Sequence, residues 1–367
     1  MSPRVIIVGA GVAGLACARA LEEGGVEVTL LDKGRAVGGR ITTRRRDGHA
    51  FDLGAQYLTG RDPRFTARVH ALQRRGVVAR WDGRVAAFEG TSRAPRETEP
   101  VERLVGVPGM NALPLALAEG LDVRSSHRVE RIEADGSRFQ LEVSVAEAGV
   151  TLPPVGARPP RDTASREPAT LEGSRLGPFD AVVVCAPPSQ AGPLVAGVAP
   201  SLSARVASVS LVPCFALGLS FEGHSAEVLA ALPFDGAFVG RDEEPADSGL
   251  SWLARDSSKP GRAPGERWVL HAREDLSRAL YDEPEAKVTA ALVGELRALG
   301  GLGDVAPSFT TLQRWGLARA PRPLTEGAFF ERGTRVGVGG DWASGGRIEG
   351  AYLSGLGLAE QVLASLG

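Results

Sequence analysis

The sequence predicts an α/β fold in two parts: a parallel sheet flanked by helices, and a second α+β lobe on a mixed or antiparallel sheet. Three observations carry this expectation. A β-branched apolar run, Val5-Ile6-Ile7-Val8, passes directly into a glycine-rich turn and a helix-forming stretch. A late run, Arg335 to Gly340, does the same near the end of the chain. Between them lie several runs that alternate apolar and polar residues as strands do. At 367 residues the chain also exceeds one ordinary domain of about 150 residues.

The first strand runs into Gly9-Ala10-Gly11-Val12-Ala13-Gly14, and Leu15, Ala16, Ala18, Ala20 and Leu21 then follow with helical spacing. Gly24-Gly25 stop the helix, and Val26 to Leu31 form a second strand that ends at Asp32, 18 residues after Gly14. This is a dinucleotide-binding unit. Gly9 allows the tight turn, Gly11 admits a pyrophosphate against backbone, and Gly14 lets helix pack on strand. The helix start at Val12 and Ala13 offers unpaired N–H groups to phosphate, and Asp32 accepts from ribose hydroxyls. Arg4 and the apolar run to Ala18 resemble a secretory leader, but the same residues build the phosphate turn, so a retained segment is expected.

The turn alone does not separate NAD from FAD. The next residues do, since Gly38-Gly39 bend close to a pyrophosphate and Arg40 brings a bidentate donor to it, a second set of contacts suited to an extended FAD. With the late Gly340-Asp341, these motifs resemble the amine-oxidase-like flavoprotein superfamily. Within it, Asp32-Lys33-Gly34-Arg35, Phe51 to Tyr57, Gly340-Asp341-Trp342 and Arg347 to Gly355 resemble the bacterial renalase-like branch. The resemblance is specific at both ends of the chain and weak in the middle. It implies a Rossmann-like FAD-binding domain of the p-hydroxybenzoate hydroxylase/amine oxidase type. Ala343 supplies no cysteine beside the final motif, so the FAD is expected to be non-covalent.

The expected FAD contacts are Gly9, Gly11, Val12, Ala13, Gly14, Asp32, Lys33, Gly39, Arg40, Gly54, Ala55, Gln56, Val129, Ala186, Pro187, Gly340, Asp341, Ile348, Glu349, Gly350 and Ala351. Val129 lies on a strand passing the adenine, and Ala186-Pro187 end a buried strand at its carboxyl end. The helix from about Gly350 would turn a positive N-terminus toward the flavin pyrimidine ring. The FAD domain is assigned to 1–60, 104–192 and 325–367, and the substrate domain to 61–103 and 193–324. A Pro-, Arg- and Ala-rich stretch, about 151–178, reads as a flexible insertion.

Net charge is −2, which gives no basic excess for nucleic acid or an anionic membrane, and no apolar run approaches a span of about 20 residues. Cys17, Cys185 and Cys214 lie too far apart for a redox pair, so a reducing cytoplasm is expected. Five scattered histidines show no metal spacing, and no metal is expected; His271 lies in a strand and is read first as structural.

Gln56, Tyr57 and Trp315 are the candidates for lining the reactive pocket; Trp342 and Tyr352 are further candidates to line it, with an ordinary core role as the alternative for the three aromatics Trp315, Trp342 and Tyr352. Arg241, Arg255 and Arg314 are candidates for substrate phosphates, with a solvated surface role as the first reading of each. Lysine is scarce: only Lys33, Lys259 and Lys287, against 39 arginines. Many amine oxidases of the superfamily hold a lysine near the flavin. Here Lys259 reads as part of a polar loop and Lys287 as part of an exposed helix face, so neither is expected at the flavin.

The renalase-like resemblance implies an oxidase for the 2- or 6-dihydro isomers of NAD(P)H, giving oxidised NAD(P) and hydrogen peroxide from dioxygen. An amine oxidase or desaturase acting on another small molecule is the enzyme alternative. A flavin-binding redox sensor is the alternative of another class. The sequence does not specify an oligomeric state.

Overall fold

The computed structural model describes residues 2–88, 95–146, 172–240, 248–300 and 302–367. Its first sheet has six strands in the order Ala328–Glu331, Val336–Gly339, Ala181–Val184, Arg4–Val8, Glu27–Leu31, Asp122–Arg124. All pair in parallel except the Ala328–Glu331 edge. Val5, Ile6 and Ile7 are fully buried, as a strand covered on both faces requires. Helix Val12–Glu23 packs against the C-terminal helix Ile348–Leu366, with Gly355 against the backbone of Ala13.

The second large sheet has seven strands, in the order Phe309–Arg319, Val212–Phe221, Glu266–Ala272, Leu250–Arg255, Gly236–Val239, Val85–Phe88, Arg96–Glu97. It is mixed, because Gly236–Val239 runs parallel to Val85–Phe88 while the other pairs are antiparallel. Helix Glu285–Gly300 covers one face through Val288, Leu292 and Leu296. Helix Pro63–Arg74 instead buries Phe65, Val69 and Leu72 in the same core as Val5 and Leu15.

A three-stranded antiparallel sheet, His127–Asp135, Arg138–Val145 and Glu172–Phe179, stands beside the parallel sheet. It corrects one expectation. Residues 172–178 belong to a paired strand, with Leu176 opposite Leu141, and not to an insertion. The rest of that expected insertion, 151–171, lies outside the described residues. Among the described residues, no helix is long and apolar enough to cross a membrane.

Candidate active site

The first turn is drawn together by Asp32. Its Oδ2 accepts from the Ala10 N–H and its Oδ1 from the Gly34 N–H, both at 2.7 Å. The Gly38 N–H donates to Ala10 O (2.8 Å), so the second glycine turn closes over the first. Burial pushes the Asp32 carboxyl above its usual range, although the two N–H donors and Lys33 act the other way. Each carboxylate oxygen keeps a second lone pair that can accept a ribose hydroxyl.

The glycines at this turn do different work. A Cβ on Gly9 would stand 2.4 Å from Cys185 O, and one on Gly14 only 1.9 Å from Gly9 O. A Cβ on Gly11 would meet no atom of the described residues within 4 Å. Gly11 caps helix Val12–Glu23 with no side-chain acceptor, and the first turn carries no acid. Helix-start N–H groups that open onto free space are what a pyrophosphate fits. Gly9, Gly11, Val12, Ala13, Gly14 and Asp32 are therefore together, and they suit a dinucleotide.

The second expected contact set is assembled differently. Arg40 gives a bidentate pair to the Asp341 carboxylate (3.0 and 2.5 Å) and a further bond to Ala318 O (2.9 Å). The two residues expected on the cofactor thus hold each other and join the N- and C-terminal motifs. Gly54 fits closely under Arg40, where a Cβ would lie 2.0 Å from Arg40 O, and the Ala55 N–H donates to that same oxygen (3.0 Å). Gly39, with φ +55°, leaves open space above it. The Gly340 N–H donates to Ser354 Oγ (2.9 Å).

Helix Ile348–Leu366 begins without a side-chain cap, so the N–H groups near Ile348, Gly350 and Ala351 keep their positive end. The Glu349 carboxylate does not face that end. It accepts from the Arg61 and Asp62 N–H groups (2.5 and 2.7 Å). Lys33 donates to Gln190 Oε1 (3.1 Å). Val129 is buried with Val8 and Leu31, and Ala186 O accepts from Trp342 Nε1 (3.0 Å), just before Pro187.

The expected pocket residues separate. Gln56 is 6% exposed and turns inward. Its Nε2 donates to Asp52 O and to Gly54 O, while its Oε1 accepts from Lys259. Gln56 therefore shapes the Gly54–Tyr57 loop from behind. Tyr57 is half-buried, with its ring 5.6 Å from that of Trp252 and 6.4 Å from that of Trp81. Trp315 is half-buried and fixed by donation to Leu53 O (2.7 Å). Trp342 and Tyr352 are corrections. Trp342 is fully buried against Phe329, and Tyr352 packs on Phe65, so both are core residues.

Lys259 is the residue that sequence reasoning missed. It lies in the expected loop, just after the 3-10 segment Asp256–Ser258, but its side chain is fully buried. Nζ donates to Asp256 Oδ1 (2.6 Å), Gln56 Oε1 (3.2 Å) and Asp52 Oδ2 (3.4 Å). Arg262 also donates to Asp52 Oδ2, and Thr43 Oγ1 donates to Asp52 Oδ1 (2.6 Å). Two cations and two carboxylates thus form one buried, charge-balanced knot. Burial pushes Asp52 up, but Lys259 and Arg262 outweigh it and hold the carboxyl below its usual range. In Asp256 burial wins, and its pKa is raised. The available signal was Asp256 three residues before Lys259, one turn of a 3-10 segment set between apolar strands.

Two of the arginines expected on phosphate are placed elsewhere. Arg255 pairs with Asp235 and Glu266, both at 3.0 Å, and Arg314 lies over the rings of Phe215 and Tyr281. Arg241 lies outside the described residues. His271 is held neutral: burial first, then Lys259, pushes its pKa down to about 4.

Residues 85–363 match the family described as flavin containing amine oxidoreductase, and residues 7–72 match an NAD(P)-binding Rossmann-like domain. A structure of putrescine oxidase with bound putrescine superposes with a TM-score of 0.67 at 13% identity, covering 99% of both chains. Polyamine oxidase 4 of Oryza sativa subsp. japonica is 45% identical over 58 residues, 16% of this chain and 12% of that protein. A 4,4'-diapolycopene oxygenase of Methylomonas sp is 45% identical over 56 residues, 15% of this chain and 11% of that protein. The matched stretches are thus a small part of these curated relatives.

Proposed function

We propose, for a chain that belongs to the flavin containing amine oxidoreductase family, that its substrate is a 2- or 6-dihydro isomer of NAD(P)H, as in the renalase-like branch. The chain is an FAD-dependent oxidoreductase with a non-covalent cofactor, acting on a small molecule with dioxygen. Bound FAD supplies a two-electron acceptor that dioxygen can reoxidise. In this reading the substrate leaves as oxidised NAD(P), and dioxygen becomes hydrogen peroxide. Among the relatives named above, one is named for 4,4'-diapolycopene and another for polyamines, so the family name alone does not select an amine.

The observation that carries the reading is the state of the lysines. Lys259 Nζ is fully buried and committed to three protein acceptors, on Asp256, Gln56 and Asp52. Lys33 is held by Gln190, and Lys287 pairs with Glu283 (2.9 Å) on a helix face. A dihydropyridine needs no base, because losing a hydride makes it an aromatic pyridinium. What it needs is placement, with reacting atoms about 3–3.5 Å apart. Tyr57 and Trp315 are proposed as the flat surfaces that orient the pyridine. Gln56 and the Lys259 knot hold the loop that carries Tyr57.

The domain division given above and the FAD contacts from Gly9 to Ala351 stand in this proposal as the working assignment. A cytoplasmic location is part of it, since Cys17, Cys185 and Cys214 are all unpaired.

Amine oxidation is the second reading, and the polyamine and putrescine oxidase relatives favour it. Oxygen uptake by the purified protein separates the two. The proposal expects one dioxygen consumed per dihydronicotinamide isomer, with oxidised nucleotide formed in equal amount. Uptake driven only by amines, with aldehyde as the product, would replace it.

A further inference from the structure

Arg103 is 8% exposed and pairs with no carboxylate among the described residues. Among the described residues its NH1 donates only to Val101 O (3.3 Å), and its Nε is buried without a partner. The other buried or half-buried arginines near the site are matched: Arg40 by Asp341, Arg255 by Asp235 and Glu266, Arg262 by Asp52. The Arg103 guanidinium lies 5.5 Å over the ring of Tyr57. Trp252, 6% exposed, abuts the same ring and also keeps a buried Nε1–H without an acceptor. Its neighbour Trp81 is satisfied by Ser258 Oγ (3.0 Å).

Arginine and the indole N–H can only donate. A buried donor without a partner has lost its water without gaining an acceptor, and the loss is greater when the donor is charged. Two such donors around one ring call for a ligand that brings acceptors, and the unmatched cation calls for a negative one. The ring they share belongs to the loop whose preceding residue is tied to the Lys259 knot. We infer that Arg103, assisted by the Trp252 indole N–H, anchors a phosphate of the substrate beside Tyr57. The inference rests on the nucleotide reading proposed above and makes Arg103 a specificity-determining residue. It also moves the phosphate site away from Arg255 and Arg314, whose guanidiniums are engaged elsewhere.

The test compares a phosphate-bearing substrate with a phosphate-free one. Wild-type holoenzyme, Arg103→Met and Arg103→Lys are mixed anaerobically with 6-dihydro-NAD and with 6-dihydronicotinamide riboside, and flavin reduction is followed. The Arg103→Met variant should bind the dinucleotide about ten- to a hundredfold more weakly, with the limiting rate within about threefold of wild type. Its affinity for the riboside should be unchanged, and Arg103→Lys should recover part of the loss. An equal loss for both substrates, or no loss for either, overturns the inference. Should Arg103→Met not fold, Trp252→Phe and Arg103→Lys carry the same comparison. Calorimetric titration of the holoenzyme with inorganic pyrophosphate separates this from the function itself. If no dihydronicotinamide reduces the wild type, the proposed function falls. The anion site then stands on saturable pyrophosphate binding that Arg103→Met abolishes. Equal heats in both proteins, or none in the wild type, overturn it.

Discussion

Gly11→Val separates cofactor binding from folding. Gly11 has φ −75° and ψ 179°, extended backbone that valine adopts readily, and a Cβ there would touch no atom of the described residues within 4 Å. The folded chain without cofactor should therefore change little, by about 1 kcal/mol for a poorer helix cap. The space the valine fills is where a pyrophosphate meets the helix start. Shifting the phosphates loses charge-assisted bonds to backbone N–H groups, each about 1.5–3 kcal/mol. Two lost bonds weaken FAD binding by about 10² to 10⁴. Gly14→Ala is the contrast, since its Cβ would lie 1.9 Å from Gly9 O and the fold itself must give. The assay is the flavin-to-protein absorbance ratio after purification, beside the melting temperature of flavin-free protein. A colourless Gly11→Val with the melting temperature of wild-type apoprotein is expected. A yellow variant with full flavin content would show that this turn does not carry the phosphates.

Further expectations follow from the buried knot and the cofactor. Lys259→Met leaves two buried carboxylates facing one arginine, a loss of about 3–5 kcal/mol that should lower the melting temperature by about 4–6 °C. The Lys259→Met/Asp256→Leu pair should cost clearly less than the sum of the two single changes, and strict additivity would show that the knot is not coupled. The deficit of Lys259→Met should widen from about pH 5 to about pH 8. The raised pKa of Asp256 makes its contribution full at low pH and lost as pH rises through the folded value, and Lys259 opposes that loss. A deficit that narrows with pH would reverse the assignment. Acid precipitation should leave intact FAD in the supernatant, and flavin retained by the pellet would refute non-covalent binding. The limiting rate of flavin reduction should vary little between about pH 6 and 9 with a dihydropyridine, since no side chain must accept a proton. A steep rise with pH would favour an amine.

What was legible in the sequence was whatever is local in the chain. The turn from Gly9 to Gly14, with Asp32 18 residues on, announces strand, helix and strand because every participant lies within one βαβ unit. The late strand into Gly340-Asp341 reads the same way. What was hidden depends on partners far apart. Asp52 and Lys259 stand 207 residues apart, and Arg40 and Asp341 stand 301 apart, so no spacing rule unites them. Lysine before proline between polar residues looks like a surface loop until the carboxylates that neutralise it are in place. Trp342 and Tyr352 look like pocket aromatics beside the cofactor motif, yet both fill core space that the chain closes only on folding. Residues 172–178 have little apolar pattern of their own and form a strand because Arg138–Val145 offers an edge to pair with.

The measurement closest to the central claim is anaerobic rapid mixing of the purified holoenzyme with 2- and 6-dihydro isomers of NAD(P)H and, separately, with putrescine and other amines. The account predicts complete bleaching of the flavin by at least one dihydro isomer, at a rate above about 1 s⁻¹, with one oxidised nucleotide formed per FAD and no comparable bleaching by amines. Bleaching by an amine alone, with the dihydro isomers inert, would contradict it.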